Sequence, residues 1–249
     1  SCVATTVFEH NSVLRPLYRL EKEKGVKIEF LQASTHDTSV STSDLKRRIE
    51  KGEKPDAVIM THTSNVTGLR MPVRETGKLC RDNGILFIVD ASQGLGTCRV
   101  DMEKDGIDIL CASGHKGLFG IMGSGFMAIS KDCKYTVDPL VSGGAGILSY
   151  EKFMPSALPE RLEAGTVGII GIESIRAGIE YINRTGSTEL AEISRQRRVR
   201  LSEGLSCIPK VKLYAPEADS LSIVLFNVEG LSSDEVARML DEQDGACRS

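Results

Sequence analysis

The sequence predicts an α/β protein: a three-layer domain with a mostly parallel central sheet over residues 1–185, then a partial, smaller α+β C-terminal domain over 186–249. Three observations predict it. Apolar runs of strand length alternate with amphipathic helical stretches, the pattern of βα units. The runs at 57–61, 85–89 and 107–112 are apolar almost throughout, as strands buried on both faces of a parallel sheet are. Each of these runs ends in polar residues and glycine, and open α/β sheets bind ligands at the carboxyl ends of their strands.

In chain order, Val3 to Phe8 reads as a strand entered midway. Ser12 to Lys24 reads as a helix with Val13, Leu17 and Leu20 on one stripe and Pro16 near its start. Lys27 to Leu31 is a second strand. The polar segment from Ala33 to Ser43 ends in an N-cap, Ser43, for a helix over Asp44 to Lys51. Pro55 precedes the strand Ala57 to Thr61, and Pro72 suits the first turn of a helix that ends before Gly84. Ile85 to Val89 follows as the central strand, then Ile107 to Ala112, and Phe126 to Ser130 is one more. From Asp138 to Pro159 the chain reads as irregular and too long for a plain connector. Ile172, Ile175, Ile179 and Ile182 mark a helix, and a charged helix over Ser187 to Leu205 leads into the small domain. That domain is expected to hold Lys210 to Tyr214, the strand Leu221 to Val228, and a helix opened by a Ser232–Glu235 capping box.

Bulk properties narrow the classes of function. The 249 residues are 41% hydrophobic and 26% charged, an ordinary globular composition. A net charge of −3 gives no electrostatic reason to expect nucleic acid as a partner. No run of about 18 apolar residues is present to span a membrane. The N-terminus, Ser-Cys-Val-Ala-Thr-Thr, lacks the start methionine and basic region of a signal peptide. Seven cysteines, an odd number without a Cys-x-x-Cys pair, suggest reduced thiols in the cytoplasm rather than a disulfide framework or a zinc site. Cys80, Cys111 and Cys207 sit among apolar residues and are expected to be buried. His10, His36, His62 and His115 lack metal-ligand spacing, so no metal is expected.

The chemistry concentrates between Asp108 and Gly125. A strand there delivers Ser113, His115 and Lys116 into a glycine-rich loop. A lysine so placed either points into solvent or is held in a pocket, where it becomes a nucleophile toward carbonyls. The two preceding strands would bring Asn65, and Asp90 with Gln93, to the same crevice. Taken singly, each residue also has an ordinary structural role. Asp90 is a strand-end acid, Ser64 and Asn65 are turn residues, His10 is a strand-end histidine, and Ser113 is a loop hydroxyl. No Gly-x-Gly-x-x-Gly follows the early strands and no Walker pattern exists, which argues against a nucleotide-binding module.

Five ordered motifs carry a resemblance over nearly the whole chain. They are Glu9-His10-Asn11-Ser-Val-Leu-Arg-Pro16, Ser64-Asn65-Val66-x-Gly68, Val89-Asp90-Ala91-x-Gln93, Ser113-Gly114-His115-Lys116-Gly117 and Arg161-x-Glu163-Ala-Gly-Thr166. The chain resembles the class V aminotransferases, and within them the cysteine desulfurases and selenocysteine lyases. The resemblance implies the fold type I architecture of enzymes dependent on pyridoxal 5′-phosphate (PLP). It also implies a reaction that takes sulfur from L-cysteine as an enzyme persulfide and releases alanine. Aminotransferase or selenocysteine lyase chemistry, or an inactive α/β fragment, are the alternatives.

Under the resemblance Lys116 forms the Schiff base and moves the α-proton, Asp90 faces the pyridine nitrogen, and Gln93 and Asn65 donate to the ring hydroxyl. Ser113 and His115 hold the phosphate, and His10 stacks on the ring face opposite the lysine. Thr166 reaches the phosphate of the neighbouring subunit in a homodimer; otherwise it is an N-cap for the helix beginning near Ile169. A sulfur-acceptor protein is a further implied partner beside the small amino-acid substrate.

Departures qualify the subgroup. The family's Gly-Pro-x-Gly after the lysine appears as Gly120-Ile-Met-Gly123, and around Gly143 a threonine and a serine are replaced. The family also continues past both ends of this sequence, so the chain looks like a fragment. Ala246-Cys247-Arg248-Ser249 resembles the start of the loop that carries the catalytic cysteine. Arg248 is therefore a candidate active-site residue, whereas Cys247 does not match the nucleophile, and no other cysteine here takes that role from the match.

Overall fold

The computed structural model describes residues 1–33, 40–214 and 221–249. Six strands form one sheet: β1 (Cys2–Thr5), β2 (Lys27–Phe30), β3 (Ala57–Thr61), β4 (Leu86–Asp90), β5 (Ile109–Ser113) and β6 (Gly125–Ile129). Their spatial order is β2-β1-β3-β4-β5-β6. The first five run parallel, while β6 returns antiparallel to β5, with Ser113 opposite Gly125. That reversal follows from the short connection, since a parallel crossover needs a dozen or more residues.

Helix α1 (Asn11–Lys24) joins β1 to β2, α2 (Ser43–Glu50) joins β2 to β3, and α3 (Val73–Asn83) joins β3 to β4. The β1–β2 step moves one way along the sheet and the next two move the other way. Right-handed crossovers therefore place α1 on one face and α2 and α3 on the opposite one, which makes the three layers. The deep core lies on the α2–α3 face, where Val58, Met60, Phe87 and Val89 are fully buried with Leu45, Val73 and Cys80. On the other face Ile59, Ile88 and Cys111 stay half-buried. The alternation along β4 therefore departs from the two-sided burial expected for this run.

Boundaries were legible to within a few residues, with instructive exceptions. Strand β1 stops at Thr5 instead of running to Phe8, because the Thr6 hydroxyl donates to Glu9 and the chain turns there. The N-cap of α2 is Thr42, one residue before the expected Ser43. Most of the polar stretch from Ala33 to Ser43 lies outside the described residues. Cys207, expected to be buried, is exposed at the end of α5 (Ser187–Ser206), and Cys111 is half-buried; neighbouring apolar letters did not report which face each occupies.

Helix α4 (Ile169–Thr185) lies against β6 and α5 and leads into α5. Beyond α5, β7 (Val211–Tyr214) pairs antiparallel with β8 (Leu225–Val228). Helix α6 (Ser233–Asp241) then opens with the expected capping box: Ser232 accepts from the Glu235 N–H, and the Glu235 carboxylate takes the Ser232 N–H at 2.8 Å.

Candidate active site

The parallel strands β1, β3, β4 and β5 all point their carboxyl ends to one edge, and the chemistry-bearing residues collect there. Asp90 is the last residue of β4, Ser113 the last of β5, and Thr61 the last of β3. Gln93 follows in the turn after β4, His115 and Lys116 in the turn after β5, and His10 directly before α1.

Hydrogen bonds stitch neighbouring strand ends together. Asp90 Oδ1 accepts from the Ser92 N–H at 3.0 Å, and Ser92 Oγ accepts from the Ser113 N–H at 3.1 Å. Main-chain bonds from His62 to Asp90 (2.8 Å) and from Ala91 to Cys111 (2.8 Å) continue the sheet past its last residues. The turn after Gln93 also presses on the turn after Lys116. A Cβ on Gly117 would overlap the Leu95 carbonyl oxygen, and one on Gly96 would overlap that of Gly117, so only glycine allows this approach.

The Lys116 turn has its own clasp. Phe119 N–H donates to the Lys116 carbonyl at 3.0 Å, and Gly120 N–H to that of Gly114 at 2.7 Å. Phe119 sits at φ 57°, the left-handed region that bulky residues avoid. Its ring meets Tyr181 of α4 edge to face, with centroids 5.4 Å apart.

Ser64 organises the turn that presents Asn65: its hydroxyl accepts from the N–H groups of Val66 and Thr67, both at 3.3 Å. His10 is exposed and caps α1, its Nδ1 accepting from the Ser12 N–H at 3.1 Å. This cap holds Nδ1 against Ser12 while the residue stays exposed. Ser113 Oγ is buried and has no hydrogen-bond partner among the protein groups, so its hydroxyl is available to an acceptor on a ligand.

Two expected residues are not brought to this edge. Thr166 is exposed and lines a separate groove of about 460 Å³ with Gly144, Gly146, Glu160 and Glu163. The N-cap of α4 is Gly168, so Thr166 does not serve as that cap. Arg248 is exposed near the chain end, past α6.

Three groups at the edge were missed by sequence reasoning. Glu9 is 7% exposed; it accepts the Thr6 hydroxyl at 2.6 Å and the Thr61 N–H at 2.9 Å. Burial pushes its carboxyl up to about 7, with the Asp90 charge adding in the same direction. His62, packed on Gly94 and bonded through Nδ1 to Thr63 Oγ1 at 2.9 Å, is held down to about 4 by burial and by Arg70. Ser92 is the bridge between Asp90 and Ser113. The Glu9-His10 motif carried a signal for Glu9, an acid directly after a strand, but nothing in the letters shows that its side chain turns inward. Among the described residues no group of three or more His, Cys, Asp or Glu is placed to hold a metal ion.

A mostly parallel sheet between two helical layers, with an acid, a hydroxyl, an imidazole and an amine at one carboxyl edge, matches the fold type I α/β architecture. The chain belongs to the aminotransferase class-V family, whose family model matches residues 1–249. It is 36% identical to a probable cysteine desulfurase of Pyrococcus abyssi over 99% of this chain and 61% of that protein. The apo cysteine desulfurase of Thermococcus onnurineus is similar in structure, with TM-score 0.84, 33% identity, and coverage of 100% of this chain and 62% of that one. A lysine-to-alanine variant of C-DES, with glycine covalently linked to its PLP cofactor, shares the fold at TM-score 0.85 and 23% identity, over 100% of this chain and 67% of that one. The chain thus spans about three-fifths of the length of the curated relatives it matches.

Proposed function

We propose that this chain carries the PLP-binding part of a cysteine desulfurase, an enzyme that takes sulfur from L-cysteine and leaves alanine. The observation that carries the reading is the convergence of Asp90, Ser113 and Lys116 at adjacent strand ends, with Ser113 Oγ buried and unpartnered. These groups fit the cofactor: a carboxylate to accept from its pyridine nitrogen, amides and hydroxyls for its polar substituents, and an amine for its aldehyde. When bound, PLP supplies an electron sink for the substrate's α-carbon.

The chain's own residues do the rest. Asp90, steadied by the Ser92 N–H, would face the pyridine nitrogen and keep it protonated. Asn65 and Gln93 would orient the ring hydroxyl, Ser113 and His115 would hold the phosphate, and His10 would cover one ring face. The Lys116 amine would hold the cofactor and carry the substrate's α-proton. Arg248 would act in the substrate loop. The thiolate that accepts sulfur is not assigned to any of the seven cysteines of this chain.

The same reading extends to assembly. Leu140 (94% exposed), Tyr150, Phe153 (87%) and Ile170 leave large apolar side chains exposed in the segments before and after Thr166 in the sequence. Exposed apolar side chains in contiguous patches mark interfaces. A homodimer formed there would let Thr166 reach the phosphate of the neighbouring site. Seven cysteines outside any disulfide fit a reducing cytoplasm, and no helix among the described residues is long and apolar enough to cross a membrane. A division into domains at residues 185 and 186 is part of the same proposal, as is delivery of sulfur to an acceptor protein.

Borohydride reduction of the folded chain with PLP, followed by mass mapping, tests the site. Label on Lys116 that is absent from Lys116→Ala is expected; a folded chain that takes no label there refutes the reading.

A further inference from the structure

Glu9 has no part in the site as read from the sequence, yet it sits where three of the site's elements meet. The register of β1 on β3 pairs Val3 with Ala57 and Ala4 with Val58. Continued in step, it would bring Val7 beside Thr61. The strand ends at Thr5, however, and the chain turns through Val7 and Phe8, closed by the Phe8 N–H donating to Thr6 Oγ1 at 3.2 Å. The last N–H of β3 on that side is thereby deprived of a β1 main-chain acceptor, and a buried N–H must have one. Glu9 Oε1 supplies it, reaching back to the Thr61 N–H at 2.9 Å while the Thr6 hydroxyl holds the same oxygen at 2.6 Å.

Both neighbours of this bond lead into the site. Thr61 is the register partner of Asp90, and its hydroxyl and the next N–H, that of His62, both reach the Asp90 carbonyl, at 3.4 and 2.8 Å. On the other side the residue after Glu9 is His10, the N-cap of α1.

We propose that Glu9 is a positioning residue for the cofactor site: its carboxyl oxygen replaces the main-chain acceptor that β1 no longer offers, and so sets the directions in which His10 and Asp90 leave the sheet. This inference rests on the PLP reading of the site.

The electrostatics fit that role. Two ionised carboxylates at the same strand ends would repel, and Asp90 is the one that has to carry charge toward a pyridine nitrogen. Burial keeps the Glu9 proton on to about pH 7, the Asp90 charge adding to the effect, while the Thr6 hydroxyl and the Thr61 N–H pull the other way. Glu9 Oε2 is buried without a partner, which disfavours a full charge there. What the site takes from Glu9 is thus an acceptor oxygen at a set distance, not a charge.

The test separates those two properties. Glu9→Gln keeps the oxygen and the reach and cannot ionise; Glu9→Asp keeps the ionisable carboxyl and loses a methylene of reach; Glu9→Ala loses both. The readouts, at pH 6, are hydrogen exchange of the Thr61 amide by NMR without cofactor, and PLP affinity by absorbance titration. Circular dichroism confirms the fold, and Glu9→Asp stands in where Glu9→Ala does not fold. Glu9→Gln is expected to stay within about threefold of wild type in both readouts. Losing one hydrogen bond in Glu9→Asp and Glu9→Ala is expected to speed Thr61 exchange and weaken PLP binding by about tenfold each.

Faster exchange with unchanged PLP affinity would make Glu9 a structural residue only and overturn the proposal. So would unchanged exchange, or a Glu9→Gln variant as impaired as Glu9→Ala. A folded wild-type chain that takes no PLP at Lys116 removes the functional reading and this inference together, whereas the other outcomes remove the inference alone.

Discussion

The buried carboxyl of Glu9 makes the stability of the whole chain depend on pH in a calculable way. Its ordinary value of 4.5 is raised to about 7 by burial. The folded chain therefore holds this proton more tightly than the unfolded one. Stability is full below about 4.5, falls as pH rises toward about 7, and is level above that. A shift of roughly 2.5 pH units at 1.36 kcal/mol each corresponds to about 3 kcal/mol, a large share of a typical folding free energy of about 5–15 kcal/mol. Glu9→Gln cannot ionise but keeps the acceptor for Thr61. Urea unfolding of both proteins at pH 5 and pH 8 measures the difference. Near pH 5 the two should agree within about 1 kcal/mol, and at pH 8 the variant should be the more stable by about 3 kcal/mol. All other titrations are shared by both proteins and cancel. If the gap between the two proteins is the same at both pH values, Glu9 is not held neutral by burial and the reasoning fails.

Three further outcomes follow from the same structure. His62 works in the opposite direction: lowered from 6.5 to about 4 by burial, it makes stability fall as pH drops from about 6.5 to about 4, by up to about 3 kcal/mol, and an acid unfolding series should lose that limb in His62→Asn. Gly117→Ala drives a methyl into the Leu95 carbonyl oxygen, so it should cost about 1–3 kcal/mol in thermal unfolding and abolish borohydride labelling of Lys116; a variant labelled like wild type would refute the close packing of the two turns. At Phe119 two effects compete. Glycine relieves about 1–2 kcal/mol of left-handed strain and forfeits about 0.5–1.5 kcal/mol of ring contact with Tyr181, whereas alanine keeps the strain and loses the contact. Denaturant titration should accordingly find Phe119→Gly near wild type and Phe119→Ala clearly weaker.

What could be read beforehand was what has a local cause. The apolar runs of β3, β4 and β5 and their polar ends were legible because strand length and composition declare them, and so the cluster of Asp90, Ser113 and Lys116 followed from the parallel-sheet rule alone. The capping box of α6 was legible because both its partners lie within one turn. Glu9, Ser92 and His62 were not, since each acts through a strand that is adjacent in space and distant in sequence. Glu9 reaches Thr61 across 52 residues, a pairing that no periodicity records. Cys207 shows the converse error: apolar neighbours on a helix say nothing about the side on which a given residue falls.

The strand-end residues that converge on the crevice all lie between His10 and Lys116, ahead of Thr166 and Arg248. Synthesis gives that order a direction in time. A ribosome adding about 5–20 residues per second needs roughly 3–10 seconds to go from Lys116 to Thr166 and roughly 7–27 seconds to reach Ser249. The residues that would hold the cofactor are thus made before Thr166 and Arg248, and β6, which pairs alongside β5, comes 9 to 13 residues after Lys116. A nascent chain has time to pair these strands, and to be met by free cofactor, before the residues proposed to serve the neighbouring subunit and the substrate exist.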